Sequence, residues 1–160
     1  MKHEAYPLTR RSVLSLVTAG MLAVPVAAAF AEEVIVRVHK DPNCGCCSGW
    51  VQHLRDAGYA VKVDETSDLE SVRAHLHVPA NLAACHTAEV AGYVVEGHVP
   101  AAAIRRLLLE RPNALGVAVP GMPTGSPGME GGRPVPYSVV LFGADGQRPF
   151  MRFVGDRAVG

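Results

Sequence analysis

The chain has 160 residues, a length that predicts one domain. Fifteen lysine and arginine residues balance fifteen aspartate and glutamate residues. The basic residues form no stripe of the kind that nucleic-acid binding requires, so a nucleic acid is excluded as a partner. Three of the four cysteines fall within four residues, which a packed core does not require. Such crowded sulfurs indicate redox chemistry, metal binding or both.

The N-terminus has the pattern of an export signal. A polar, basic start at residues 1–11 precedes an uncharged apolar run at residues 12–30, and "AFA" ends at Ala31. This order predicts a signal peptide over residues 1–31 that is cleaved after Ala31. A membrane anchor is the alternative, which the small residues and a proline within the apolar run disfavour.

The adjacent Arg10 and Arg11 resemble a twin-arginine export signal, although an ordinary secretory signal also fits. Cleavage leaves one domain, residues 32–160, with 12 basic and 14 acidic residues and a net charge of −2. We expect this mature chain in the periplasm, without a membrane span. At 129 residues it can bury a sizeable core and needs no disulfide to fold.

The mature chain alternates between strand and helix patterns. The patterns predict strands at 34–40, 59–65, 83–90 and 93–99, helices at 48–58, 67–78 and 99–112, and a β-hairpin at 137–153 that turns at Asp145-Gly146. A long Gly/Pro loop separates the last helix from the hairpin. The order β-α-β-α-β-β-α predicts an α/β fold, a thioredoxin-like three-layer sandwich with a parallel strand pair at its centre and an added C-terminal β-hairpin.

The motif "CGCC" follows the first strand. Its outer pair, Cys44 and Cys47, forms the C-x-x-C that thioredoxin-like folds use for redox chemistry. The following helix favours thiolates at its N-terminus. We expect Cys47 to be the least exposed, because it shares an apolar stripe with Trp50, and Cys44 to be open to solvent. Among possible disulfides, only Cys44–Cys47 or a bridge to Cys85 has easy geometry.

Cys46 departs from a simple dithiol motif, because a third thiolate invites scrambling in a redox enzyme. For a metal site the third sulfur is an asset, since thiolates are soft donors that select Cu(I), zinc or Fe–S clusters. Adjacent cysteines suit sulfurs that bridge several soft ions better than they suit one tetrahedral zinc ion.

Cys85 and His86 lie at the start of the third predicted strand. In a thioredoxin-like fold they would face the C-x-x-C motif across the ligand crevice, which lies at the carboxyl ends of the strands. The alternative for Cys85 is a small buried core residue, and for His86 a hydrogen-bonded strand residue. Weaker candidate ligands are His39, Met122 and Met129. The remaining histidines of the mature chain have structural interpretations: His53, His75 and His77 as solvated helix residues, and His98 as a residue that orders the turn before Pro100.

Four blocks of the chain, "CGCCSGW", "ACHTAEVAGYVVEGHVPAAAIRRLL", "VAVPGMPTGSPGME" and "YSVVLF", resemble the exported copper-resistance family of the CopG type, formerly a domain of unknown function. The resemblance covers about residues 34–154. It implies a thioredoxin-like fold, a periplasmic location and a redox role with Cu(I) and Cu(II). It also implies copper ligands, which fall here on Cys44, Cys46, Cys47 and Cys85.

Two functions therefore compete. The first is a periplasmic protein that holds more than one Cu(I) ion in a thiolate cluster, completed or gated by His86, and that exchanges copper with other periplasmic copper-handling proteins. The second is a thiol–disulfide oxidoreductase, with Cys44 as nucleophile and Cys47 as resolving thiol. A single structural zinc site is a third, more strained interpretation.

Overall fold

The computed structural model describes residues 34–159, so the predicted signal peptide lies outside the described residues. The helices are α1 Gly45–Asp56, α2 Leu69–His75 and α3 Ala101–Glu110, and the strands are β1 Ile35–Lys40, β2 Ala60–Glu65, β3 His86–Val90, β4 Tyr93–Glu96, β5 Gly116–Ala118, β6 Pro136–Gly143, β7 Gly146–Val154 and β8 Arg157–Ala158. The predicted α/β class and the order β-α-β-α-β-β-α are confirmed, while β5, β8 and a 3₁₀ turn at Ala80–Leu82 are additions. Across the described part of the chain, no helix is both long and apolar enough to cross a bilayer.

All eight strands form one sheet in the order β2-β1-β3-β4-β5-β6-β7-β8. The β1–β2 and β4–β5 pairs are parallel, and every other pair is antiparallel. The predicted parallel pair at the centre of the sheet is formed by β4 and β5, although the sequence patterns missed β5. The β1–β2 pair is also parallel, but it lies at the edge of the sheet.

Helices cover both faces of the sheet, as the three-layer prediction requires. Successive side chains of a strand point to opposite faces. On β4, Val95 joins the main core with Trp50 of α1 and Ile104 of α3. Its neighbour Val94 joins a second cluster with Leu76, at the end of α2. We call these two sides of the sheet the α1/α3 face and the α2 face.

The first helix starts earlier than predicted, because α1 begins at Gly45 and takes Cys46 and Cys47 into its first turn. It ends at Asp56, and Gly58 follows with φ 88°, a left-handed conformation that glycine adopts without strain. The helix that was predicted to end at residue 58 therefore ends two residues earlier, just before this glycine. The helix N-terminus lies directly at the cysteine motif.

The other predicted helix and hairpin signals hold with small changes. The α2 N-cap is Asp68, whose carboxylate accepts a hydrogen bond from the Ser71 N–H at 3.0 Å. The helix is shorter than predicted and no residue in it is fully buried. In the β6–β7 hairpin the two loop residues are Ala144 and Asp145, and Gly146, with φ 88°, begins β7.

Strand pairing brings two distant segments together at one end of the sheet. In the antiparallel β1–β3 pair, Lys40 lies opposite His86. The end of β1, which leads into the cysteine motif, is thus beside the start of β3. The β3–β4 hairpin turns at Ala91 and Gly92, both with positive φ, as in a type I′ turn. The end of β4 therefore returns to the same place.

Candidate metal centre

The cysteine motif lies at the N-terminus of α1. Cys44 and Cys47 form a disulfide, and Cys46 has a free thiol. Cys47 is fully buried, as predicted, whereas Cys44 is half-buried rather than open to solvent. The Cys46 Sγ lies 3.5 Å from the Cys44 Sγ, so three sulfurs occupy one turn of chain.

Cys85 joins this group from the start of β3. Its Sγ lies 3.9 Å from the Cys46 Sγ, and its backbone carbonyl lies 3.5 Å from the Cys47 Sγ. One ligand atom each from Cys44, Cys46, Cys47 and Cys85 lies within 4.8 Å of the others. We call these residues the four-sulfur cluster.

His98 also reaches this cluster, although the sequence interpretation assigned it only to the turn before Pro100. Its Nδ1 lies 2.7 Å from the carbonyl oxygen of Pro127, which can only accept, so Nδ1 carries the ring hydrogen. The lone pair of Nε2 then points at the Cys85 Sγ, 2.8 Å away. The Cys85 thiol can donate to this nitrogen, and a metal ion can replace that hydrogen.

His86 lies under Cys85, with its Nδ1 3.4 Å from the Cys85 Sγ. Its ring is fully buried and packs against the Trp50 ring, with the ring centres 4.3 Å apart and the planes tilted by 38°. It meets the His98 ring edge-on at 5.0 Å. Its Nε2 has no hydrogen-bond partner within residues 34–159. Cys85, His86 and His98 form a second group of three convergent donors that shares Cys85 with the four-sulfur cluster.

Burial keeps the side chains of Cys85, His86 and His98 uncharged in the metal-free protein. It raises the pKa of Cys85 to about 12, and the nearby Cys46 thiol adds to this effect. Burial also lowers the pKa of His86 to about 3, aided by the neighbouring His98, and lowers the pKa of His98. A neutral imidazole and a thiol that loses its proton to a metal are both suited to ligation.

The Gly/Pro loop between β5 and β6 packs directly on this site. Pro127 accepts the His98 hydrogen bond, and Gly128 packs against the first turn of α1. The loop is tied to itself by hydrogen bonds, such as those between Gly125 and Met129 and from the Ser126 hydroxyl to the Pro123 carbonyl at 2.7 Å. It therefore covers the start of α1 as an ordered segment.

We expect Gly128→Ala to lower the free energy of unfolding by about 1–3 kcal/mol. Gly128 has φ 87°, and a Cβ there would overlap the Cys46 carbonyl oxygen and lie 2.8 Å from the backbone nitrogen of Trp50. Urea denaturation measures the change. Gly131→Ala in the same loop is the matched control, because its Cβ would meet nothing within 4 Å, and it should change stability by less than about 0.5 kcal/mol. Equal losses in both variants would contradict this packing.

The weaker ligand candidates lie elsewhere or stay predictions. His39 Nε2 lies 3.1 Å from the Glu89 carboxylate and belongs to neither donor group found among residues 34–159. Met122 is 54% exposed and Met129 is half-buried in the Gly/Pro loop. His53 is not simply solvated, because its Nε2 accepts a hydrogen bond from the Ala101 N–H at the start of α3.

The position of His98 was available in the sequence. With Ala91-Gly92 as a two-residue turn, the hairpin register pairs Thr87 with Glu96, as observed. Extending that register by two residues places His98 opposite Cys85. The sequence predicted the strand pair across "AG", so the residue pairing of that hairpin would have been enough to place His98 beside Cys85.

The fold and the site define a mixed α/β domain with a multi-cysteine candidate metal centre at a helix N-terminus. The family described as "Protein of unknown function, DUF411" matches residues 82–129. Two solved structures are also similar. Copper resistance protein CopG, form 1, has 44% sequence identity and a TM-score of 0.72, over 78% of this chain and 100% of that one. Form 2 has the same identity and TM-score over 76% and 99%. No curated protein matches. The chain belongs to the CopG copper-resistance family.

Proposed function

We propose that this chain is a periplasmic copper-binding protein that holds Cu(I) in the four-sulfur cluster and serves copper resistance. The observation that carries the proposal is the convergence of sulfurs from two distant segments, with the Cys46 and Cys85 Sγ atoms 3.9 Å apart. Membership of the CopG family supports copper as the metal, because the two similar structures are of copper resistance proteins.

The donor set favours Cu(I) by its chemistry. Thiolates are soft ligands that select Cu(I), zinc or Fe–S clusters, and imidazole is also a ligand of copper. The Sγ distances of 3.5 and 3.9 Å fit thiolates that bridge Cu(I) ions and would also fit one tetrahedral zinc ion, so membership of the CopG family decides in favour of copper. Four sulfurs and two imidazoles are more donors than one Cu(I) ion takes up. We therefore place more than one Cu(I) ion in the cluster, with His98 and His86 as nitrogen donors beside Cys85.

The disulfide gives the site a redox dimension. Binding of Cu(I) by all four sulfurs requires that the Cys44–Cys47 bond is first reduced, which takes up two electrons and two protons and forms two thiols. In the reverse direction, the two thiols pass two electrons to two Cu(II) ions, which become Cu(I), and they release two protons as the disulfide forms again. We therefore propose that the site couples its disulfide to Cu(I)/Cu(II) interconversion.

The test is an anaerobic Cu(I) titration of the fully reduced protein against a competing chelator, beside Cys46→Ser and Cys85→Ala. We expect more than one tightly bound Cu(I) per chain, and a lower number in both variants, because each removes a shared ligand. His75→Ala is the control, since it removes an exposed imidazole near the β3–β4 turn, at the opposite end of the hairpin from Cys85, and should leave the number unchanged. One or no bound copper, unaffected by either cysteine substitution, would sink the cluster proposal.

A thiol–disulfide oxidoreductase is the second candidate, favoured by the Cys44–Cys47 disulfide at a helix N-terminus. This function needs Cys44 and Cys47 but not Cys46. Turnover of a small disulfide substrate should then survive in Cys46→Ser and vanish in Cys44→Ser. The copper proposal differs because both substitutions should lower the copper stoichiometry.

Export belongs to the same proposal. Cleavage after Ala31 would release the mature chain into the periplasm, where other copper-handling proteins would be its partners. N-terminal sequencing of the protein recovered from the periplasm tests the cleavage site, and a mature N-terminus elsewhere than Glu32 would contradict it.

A further inference from the structure

A buried carboxylate accepts hydrogen bonds from residues on both sides of Cys85, from a backbone N–H before it and from a side-chain hydroxyl after it. Glu96, at the end of β4, is fully buried. Its Oε1 accepts a hydrogen bond from the Ala84 N–H at 2.6 Å, and its Oε2 accepts one from the Thr87 hydroxyl, also at 2.6 Å. Ala84 directly precedes Cys85, and Thr87 follows it by two residues. One side chain thus spans the segment that carries the fourth sulfur.

Arg73 of α2 completes this network. Its Nε donates to the Glu96 Oε1 at 2.9 Å, and its guanidinium also donates to the carbonyl oxygen of Ala84. The side chain of Arg73 is 19% exposed and that of Glu96 is fully buried, so the pair is largely shielded from water. The fork of the guanidinium therefore links helix α2 to the chain just before Cys85.

The two residues after Glu96 contact the same segment. The Gly97 N–H donates to the His86 carbonyl oxygen at 2.9 Å, and a Cβ on Gly97 would collide with the Ala84 side chain at 2.7 Å. His98 then reaches the Cys85 Sγ. Residues 96–98, at the end of β4, therefore determine where the backbone around Cys85 lies and which group the Cys85 sulfur faces.

The network lies behind the site rather than in it. Thr87 and Glu96 are directly paired and point to the α2 face, while His86 points to the α1/α3 face, where it packs against Trp50. Burying an ion pair costs desolvation energy, and well-packed apolar residues of similar volume stabilise a fold as well or better. Stability alone therefore does not account for Glu96 and Arg73 at this place.

We propose that Glu96 and Arg73 are positioning residues that hold the Cys85 Sγ within bridging distance of the Cys46 Sγ. This inference rests on the proposed function for its consequence in copper binding, although the sulfur geometry itself can be measured without copper. Residues that orient metal ligands through hydrogen bonds change metal affinity by about 10- to 100-fold when replaced. Glu96 and Arg73 would act through Cys85, without contacting the metal.

The copper experiment compares the reduced protein with Glu96→Gln, which keeps the shape of the side chain and removes its charge. Chelator competition should show Cu(I) binding weakened by about tenfold or more. Thr87→Val and Thr87→Ser form a matched pair, because valine loses the hydroxyl and serine keeps it; valine should weaken binding and serine should restore it. Glu110→Gln is the control, since it breaks an exposed pair with Arg106 on α3 and should change nothing.

The metal-free experiment uses Cys44→Ser/Cys47→Ser protein, in which only Cys46 and Cys85 remain. Diamide accepts two electrons and two protons from the two thiols and becomes a hydrazine while the sulfurs form a disulfide. The rate of this closure reports how closely the Cys46 and Cys85 sulfurs approach. We expect Glu96→Gln to slow it severalfold, and Glu110→Gln to leave it unchanged.

The outcomes separate the two proposals. Slower closure in Glu96→Gln supports the positioning role even if the parent protein binds no copper cluster, a result that would contradict only the proposed function. If the closure rate and Cu(I) affinity both stay within twofold while the melting temperature falls, Glu96 serves stability alone and the positioning role is overturned. If Glu96→Gln does not fold, the Thr87→Val and Thr87→Ser pair decides by the same two measurements.

Discussion

Trp50→Ala is expected to lower the free energy of unfolding by about 3–5 kcal/mol. The indole is fully buried in the main core, and its ring packs against the His86 ring with the ring centres 4.3 Å apart. Its Nε1 donates a hydrogen bond to the Val99 carbonyl at 2.8 Å, just before α3 begins. Removing the side chain therefore opens a cavity between α1, β3 and the start of α3, and leaves a buried carbonyl without its donor. Urea denaturation of the metal-free protein measures the loss.

Two further variants separate these causes. Trp50→Phe keeps an aromatic ring beside His86 but cannot donate to Val99, so we expect an intermediate loss of about 1–3 kcal/mol. Leu109→Ala is the control on α3, where the leucine is 78% exposed, and it should change stability by less than about 0.5 kcal/mol. A loss below about 1 kcal/mol in Trp50→Ala would mean that the site tolerates the cavity by collapsing around it.

Local sequence signals were enough to predict the order of the elements, because most of them have a clear period and a clear stop. Gly58 after α1 and Asp68 before α2 act within one helical turn, so their effect needs no tertiary context. Strand β5 differs: Gly116–Ala118 is only three residues long and becomes a strand by pairing with β4 and β6. No local pattern indicates such a strand.

The candidate site was predictable as far as its sulfurs. The close spacing of the cysteines in "CGCC" indicates redox chemistry or metal binding, and the order of the elements placed Cys85 opposite this motif. His98 was missed because it was interpreted from its neighbour Pro100 rather than from the register of the hairpin. The Arg73–Glu96 pair joins residues 23 positions apart on a helix and a strand, so only the packing of α2 on the sheet reveals it.

Acidification from pH 7 to pH 5 is expected to destabilise the metal-free protein, with about 2 kcal/mol of the loss from His86 alone. The pKa of His86 is lowered from 6.5 to about 3 by burial, by His98 and by the charges of Arg73 and Lys40. Below pH 6.5 the unfolded chain takes up a proton on this ring that the folded chain refuses until about pH 3. Unfolding is therefore favoured progressively as the pH falls through this window, and stability is regained above pH 6.5.

Urea denaturation at a series of pH values isolates this contribution when His86→Gln is compared with the parent protein. Glutamine does not titrate in this range. Between pH 7 and pH 5 the variant should therefore lose about 2 kcal/mol less unfolding free energy than the parent protein loses. His75→Gln removes an exposed histidine and should leave the parent slope unchanged. An equal slope of unfolding free energy against pH in the parent and in His86→Gln would contradict the neutral buried state of His86. It would assign the proton uptake to His98 and His53 instead, because burial also lowers their pKa values.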